Sequence, residues 1–459
     1  MNNWKLYQWV LLAVGIVGAL AVIITGVKLD RMAHVLAGYK AKVTCSEVFL
    51  AGRDAQMIIE NEFVGIDPAM DKISVHPDLD NRQVSASAML GLGRARAIYR
   101  EGYGCTLANA GRLSPLPASA PALAVDPWPI ATADSADAIS RVDYGAIDAA
   151  LTRAFDKNAA SHRAVLVVVD GKIVDERYAD GFNKDTPFLS WSAGKSVTAT
   201  LIGAAVLNEA IDIHDTAPVA SWGSDPARAS ITWNDLLQMQ SGLDFSETYS
   251  DVRSDVNRML FEAADVGVIP EKSSSAYAPG THWYYSSGTT NLLSKLLRQE
   301  LTKNGFDYYS FAQQEIFDPI GAASFTFEPD ASGTFISSSF VYATARDWAR
   351  LGQLYLQDGV WNGKHLLPEG WAHYVATPAA ASNGQYGAHF WLNYDGDARP
   401  RDFPGVPEEM YYMAGHEGQY VIIIPSKRMV IVRTGMTRGT SPRAAVAPLI
   451  KDLYDAIGD

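Results

Sequence analysis

Two apolar hairpins stand at opposite ends of the long C-terminal part of this chain, and they limit its fold more than any other feature. In the first, Ala164-Val-Leu-Val-Val-Val169 and Ile173-Val174 flank Asp170-Gly171, a dipeptide suited to a two-residue turn between antiparallel strands. In the second, the run from Gln419 to Pro425 and the run from Met429 to Thr434 flank Ser426-Lys427-Arg428. The chain between them reads as mostly helical, with turns at Ser241-Gly242, Pro279-Gly280 and Trp361-Asn-Gly363. Strands at both ends with helices between them predict an α+β fold. One antiparallel sheet is built from N- and C-terminal pieces of the body, and a helical cluster lies against it. An amphipathic helix is expected over residues 143–155 and a last helix over 444–457.

Ser192-Ala-Gly-Lys195 opens an Ala-rich apolar run that reads as a helix through Leu207. A serine in its first turn and a lysine three positions on share one face. The amine can then take the hydroxyl proton, which a free serine does not release at neutral pH. The helix N-terminus adds unpaired N–H groups and partial positive charge where an oxyanion would form. A capped helix with a solvated lysine is the competing reading. Tyr285-Ser-Ser287 stands just before a second helix-like run, residues 290–301. A buried tyrosine near a lysine can move protons, though tyrosines also simply pack at turns. Gly415-His-Glu-Gly-Gln419 leads into the apolar strand that follows. Glycines there let a substrate lie along the backbone, and an exposed N–H could complete an oxyanion hole. An ordinary turn with a surface imidazole at His416 is the alternative.

Taken in order, Ser192-x-x-Lys195, Tyr285-x-Ser287 and His416-x-Gly418 resemble the serine β-lactamase and penicillin-recognising hydrolase family, class C-like, in its esterase and 6-aminohexanoate-dimer hydrolase branch. Ser241-Gly-Leu243, Pro279-Gly280 and Ala345-Arg-Asp-Trp-Ala-Arg350 are similar to that branch as well, and the resemblance covers residues 164–435. It implies a β-lactamase-like fold and a hydrolase of small amides or esters. Ser192 would be the nucleophile, Lys195 its base, and Tyr285 the proton shuttle to leaving group and water. The N–H groups of Ser192 and Gln419 would form the oxyanion hole, with Ser287 orienting the lysine or the substrate amide. His416 and Gly418 would line the substrate side. Two departures stand out: Ser287 replaces an Asn, and His416 replaces a lysine that supplies a fixed cation for a β-lactam carboxylate. A histidine is mostly neutral at pH 7, so efficient β-lactam hydrolysis is not expected. A cell-wall DD-peptidase or β-lactamase is the alternative within the family, and a catalytically silent binding module the alternative outside it. Intact Ser192, Lys195 and Tyr285 count against the silent module. The remaining histidines are scattered singly, so no metal or cofactor is assigned.

Ahead of the body, the chain carries no charge from Tyr7 to Val27. A run of about 21 residues at about 1.5 Å each just crosses a hydrocarbon core of about 30 Å. Lys5 and Lys28 bracket it, and Trp4, Tyr7 and Trp9 sit where an interfacial belt would. Residues 1–28 are therefore expected to be a single-pass membrane anchor, with a cleaved signal peptide or a buried core helix as alternatives. The positive flanks, taken literally, put the body in the cytoplasm, but large domains translocate largely regardless of charge. Cys45 and Cys105, the only cysteines, suit one disulfide in an oxidising compartment, or else two separate buried thiols. The expected location of the body is extracytoplasmic. Residues 29–112 read as a small N-terminal region with strands over 41–49, near 71–76 and over 84–99. Residues 113–139, with Pro115, Pro117, Pro121, Pro127 and Pro129, read as a linker, and 140–459 as the hydrolase domain. A net charge of −13 with no basic stripe excludes nucleic acid as a partner.

Overall fold

The structure is a computed structural model. It describes residues 3–108, 112–119, 128–156, 161–395 and 400–458, and the side chains of all of these except 3–7, 19–24 and 90. The two hairpins form one antiparallel sheet. Its strand order is Trp391–Leu392, Tyr411–Gly415, Gln419–Ile424, Met429–Gly435, His162–Val169 and Lys172–Tyr178. The join between the two ends of the body is the pairing of Met429–Gly435 with His162–Val169, where Ile431 faces Val167 and Val432 faces Leu166. Asp170 and Gly171 turn the first hairpin with φ of 50° and 74°, the left-handed pair that matches strand twist.

Both faces of this sheet are covered, which is why its strands read as continuous apolar runs. Leu166, Val168, Val421, Ile423, Val430 and Val432 point into the core shared with the helical cluster. Val165, Val167, Val169, Ile422, Ile424 and Ile431 point the other way, onto helices Tyr144–Phe155 and Pro442–Asp455. Helix Gly194–Leu207 lies inside the first layer and is buried from Gly194 through Ala205. That burial on all sides explains its uniformly apolar sequence.

The N-terminal part differs from the strand expectations in two places. Residues 41–49 are helical, the end of helix Asn3–Phe49. Ala37, Ala41 and Cys45, one turn apart, pack on a four-stranded antiparallel sheet of Ile73–Asp78, Gln83–Ala88, Ala95–Arg100 and Gly104–Leu107. Val35 and Tyr39 pack toward the body, and Val43 joins a third cluster. Lys42, Thr44 and Ser46 are buried as well, so the polar positions that alternate in the sequence do not mark an exposed face and the helical period is hidden. Residues 84–99 form two strands, reversed through a turn at Met89–Gly91. Cys45 and Cys105 are joined in a disulfide, with Cα atoms 6.1 Å apart and a sequence separation of 60. Closing a loop of that length contributes about 4 kcal/mol in the chain-entropy description.

Among the described residues, no helix is long and apolar enough to cross a membrane. This corrects the single-pass anchor expected from Tyr7 to Val27, and with it the membrane partner and the membrane-anchored extracytoplasmic location. The uncharged run is the first part of one helix that continues into the packed N-terminal core. Tyr7 and residues 19–24 of the run lie outside those whose side chains are described.

Of the expected linker, residues 120–127 lie outside the described residues. Its described flanks are bound to the body. The Ser114 N–H donates to the Ala331 carbonyl (2.9 Å), the Trp128 indole N–H to the Gly171 carbonyl (2.7 Å), and Ile130 bridges Ile173. A buried carboxylate joins the N-terminal part to the body. Glu328 accepts from the Lys42 ammonium (2.5 Å), the Ser46 hydroxyl (2.6 Å) and the Cys105 N–H (2.6 Å).

Candidate active site

Ser192 lies in a short turn, Trp191–Ala193, that runs directly into helix Gly194–Leu207. Lys195 is one turn further on and 1% exposed. Its Nζ is 3.0 Å from Ser192 Oγ, 2.9 Å from Ser287 Oγ and 3.1 Å from the Ser338 carbonyl oxygen. An ammonium would donate to all three. The neutral amine has two N–H groups and a lone pair, so one hydroxyl must donate to it, and Ser192 is placed to do so. Burial lowers the lysine pKa from 10.5 to about 8, partly opposed by the negative charge of Glu247.

Tyr285 stands just ahead of Ser286, whose hydroxyl caps helix Ser287–Lys303. The Lys195 Nζ sits 4.8 Å over the Tyr285 ring. Burial raises the phenol above its ordinary pKa; a hydrogen bond with Ser192 and the charge of Arg443 work against that rise. The phenol is therefore protonated at neutral pH and can give a proton away. Trp391 and Tyr386 hold the ring, with centroids 5.3 Å and 5.9 Å away.

Glu247 is the group that sequence reasoning missed. Its carboxylate accepts from the Ser287 N–H (2.8 Å), the Ser287 hydroxyl (2.5 Å) and the Tyr249 hydroxyl (2.9 Å). Because Ser287 gives its proton to Glu247, its oxygen is left to accept from Lys195. The order of donation is Lys195 to Ser287 to Glu247. No spacing in the sequence marks this glutamate, since it reaches Ser287 from a loop that follows Ser241-Gly-Leu243.

His416 keeps an exposed ring at the rim, edge-on to Trp191 at 5.6 Å. Partial loss of solvent lowers its pKa, so it is neutral at pH 7. Gly418 has φ of 87°, and a Cβ there would meet Arg433 Nη1 at 2.5 Å. Its carbonyl and that of Glu417 accept from the buried Arg433 guanidinium at 2.7 Å and 2.9 Å. The Gln419 side chain donates to the His416 and Gly435 carbonyls (2.9 and 2.6 Å) and accepts from the Gly435 N–H (3.1 Å). The structure thus gathers Ser192, Lys195, Tyr285 and Ser287 into one group. It places His416 beside the group, while Gly418 and the Gln419 side chain brace the start of the strand. Among the described residues, no group of three or more His, Cys, Asp or Glu could hold a metal ion.

The Beta-lactamase family model matches residues 148–455, a span that contains all of these groups. The chain belongs to the Beta-lactamase family. This Beta-lactamase family hydrolase is similar to the 6-aminohexanoate-dimer hydrolase of Paenarthrobacter ureafaciens, 26% identical over 226 residues. That match takes in 46% of this chain and 56% of the relative, just over half its length. Among solved structures, it is similar to a Bacillus anthracis protein assigned to the 6-aminohexanoate-dimer hydrolases (TM-score 0.56, 21% identity, 72% of this chain and 87% of that one). It is also similar to a family VIII carboxylesterase (0.52, 14%, 68% and 97%) and to a penicillin-binding protein homologue from Caulobacter crescentus (0.51, 17%, 70% and 98%). At these identities the likeness is one of fold, the β-lactamase-like α+β arrangement of sheet and helical cluster.

Proposed function

We propose that this protein cleaves small amide or ester bonds through an acyl-enzyme on Ser192. The observation that carries the reading is the buried Lys195 amine, 3.0 Å from Ser192 Oγ; burial lowers its pKa to about 8, so that a fraction of it is neutral near pH 7. Ser192 Oγ attacks the substrate carbonyl carbon as its proton passes to Lys195 Nζ. The charge that develops on the carbonyl oxygen is met by the N–H groups of Ser192 and Gln419. Tyr285, held protonated, gives its proton to the departing nitrogen or oxygen, and the lysine proton then restores the phenol. Water attacks the ester in the second half, with the same groups acting in reverse. Glu247 acts as a positioning residue: it turns the Ser287 hydroxyl so that its oxygen faces Lys195. A relative named for hydrolysing a 6-aminohexanoate dimer supports a linear amide as substrate. The direct test is covalent labelling by a fluorophosphonate, with the adduct mapped to Ser192; an unlabelled protein that turns over no ester would sink the reading.

The rate should depend on the Lys195 proton. Below about pH 8 the amine is increasingly an ammonium and cannot accept the serine proton. Accordingly, kcat/KM for an ester should fall about tenfold per pH unit on the acid side and level off above pH 8. A profile flat from pH 6 to 9 would remove Lys195 as the base.

Substrate preference should follow His416. A neutral, exposed imidazole offers no fixed cation to a β-lactam carboxylate, and a charge-assisted hydrogen bond is worth about 1.5–3 kcal/mol. Turnover of p-nitrophenyl butyrate should therefore exceed that of nitrocefin by about two orders of magnitude in kcat/KM. His416→Lys should narrow the gap. Nitrocefin hydrolysed as fast as the ester by the unaltered protein would restore a β-lactamase reading.

A further inference from the structure

The residues just ahead of both proposed oxyanion donors stand in the left-handed backbone region. Trp191, before Ser192, has φ of 44°; Glu417 and Gly418, before Gln419, have φ of 60° and 87°. For a side chain as bulky as tryptophan this conformation costs on the order of 1–3 kcal/mol and persists only where the surroundings hold it. The dihedrals at these positions set the peptide planes that carry the Ser192 and Gln419 N–H groups.

In both places groups of the body share the hold, Phe340 and His416 around Trp191 and Arg433 at Glu417 and Gly418, and a segment outside the family match adds to it. Tyr39, on helix Asn3–Phe49, stacks on the Trp191 indole with centroids 5.8 Å apart and ring planes 20° from parallel. Tyr39 is itself fixed between Phe63 (6.0 Å) and Phe261 (5.4 Å). On the other side, Arg438 binds the Glu417 carboxylate. Its remaining donors reach back to the Val64 carbonyl (2.7 Å) and the Glu62 carbonyl (2.8 Å). Between the two holds is a cavity of about 20 Å³ lined by Tyr39, Glu62, Arg163, Trp191, Glu417 and Gln419. It has room for about one water molecule, so the segment is seated on the body rather than held off it.

We infer that residues 39–64 of the N-terminal segment belong to the catalytic apparatus: Tyr39, and the link from Arg438 to Glu62 and Val64, are positioning elements that aim the Ser192 and Gln419 N–H groups at the substrate oxygen. This rests on the acyl-enzyme reading above. Oxyanion donors act only within a narrow range of distance, and a displacement of about 1 Å can cost about 100-fold in rate.

The test uses the full chain, with p-nitrophenyl butyrate as substrate and active sites counted by fluorophosphonate labelling carried to completion. Tyr39→Leu keeps apolar volume without a flat face, and Arg438→Gln removes the second link independently. In each, kcat per labelled site should fall about 10- to 100-fold, with KM changed by less than about threefold. Tyr39→Phe, which keeps the stacking ring, should recover most of the loss. Arg82→Ala, on an exposed pair with Glu101, is the surface control and should match the unaltered protein. If both Tyr39→Leu and Arg438→Gln keep kcat per labelled site within about twofold while only the labelled fraction falls, the segment is structural support alone and the inference is overturned. An unaltered protein that takes no label and hydrolyses no ester would overturn the acyl-enzyme reading, and this inference with it.

Discussion

Ser192→Ala should abolish ester hydrolysis and covalent labelling while the protein unfolds at nearly the same temperature as the unaltered chain. Ser192 is only partly buried, so losing its hydroxyl should cost less than about 1 kcal/mol of stability. Its chemical loss is total in this reading, because among the described residues no other hydroxyl has both the Lys195 amine and the Tyr285 phenol as partners. Lys195→Ala and Tyr285→Phe should each lower kcat/KM by about 100-fold or more, since each removes one proton transfer. The double variant should be little worse than the more damaged single one, because the two groups serve the same step. Steady-state kinetics with p-nitrophenyl butyrate and the intact mass of the labelled protein decide the matter. Label found on the Ser192→Ala protein would mean that another residue is the nucleophile.

Glu328→Ala should be the most destabilising single change outside the site. Lys42 and Glu328 form an ion pair in which both side chains are 0% exposed. Burial lowers the lysine pKa and raises that of the carboxyl, and their mutual attraction opposes both shifts. Taking the carboxylate away leaves the Lys42 ammonium, the Ser46 hydroxyl and the Cys105 N–H without this acceptor in the interior. Breaking one side of a buried pair costs about 3–5 kcal/mol, whereas replacing both sides with apolar groups of similar size can be nearly neutral. The denaturant midpoint of Glu328→Ala should fall accordingly at unchanged slope, and Lys42→Met with Glu328→Leu should recover much of it. A double variant no more stable than Glu328→Ala would mean that the loss comes from packing and not from the stranded charge.

What could be read from the sequence was local. The apolar strands around Asp170-Gly171 and around Ser426-Lys427-Arg428 lie within a few residues of their turns, so their patterns announce the hairpins. The three-residue spacing of Ser192 and Lys195 puts both on one helix face, and geometry along a helix follows from spacing alone. The pairing of Cys45 with Cys105 was legible only because no third cysteine competes.

What the sequence could not decide was set by contacts between distant segments. The expected strand at 41–49 is a helix whose alternating polar positions, Lys42, Thr44 and Ser46, are all buried, so polarity there does not mark a solvent face. The uncharged run from Tyr7 to Val27 looked like an independent membrane element, yet it is the start of a helix that ends in the core next to Cys105. Glu247 reaches Ser287 across 40 positions, Tyr39 reaches Trp191 from another part of the chain, and Arg438 reaches back to Glu62. Periodicity records which face of one element is apolar, and it carries no term for what that face meets. The sequence by itself therefore determined the hairpins, the helix that follows Ser192 and the candidate Ser192–Lys195 pair. Only tertiary packing decided the lowered pKa of Lys195, the proton order through Ser287 and Glu247, and the hold of the N-terminal segment on the site, because each depends on burial and on partners far along the chain.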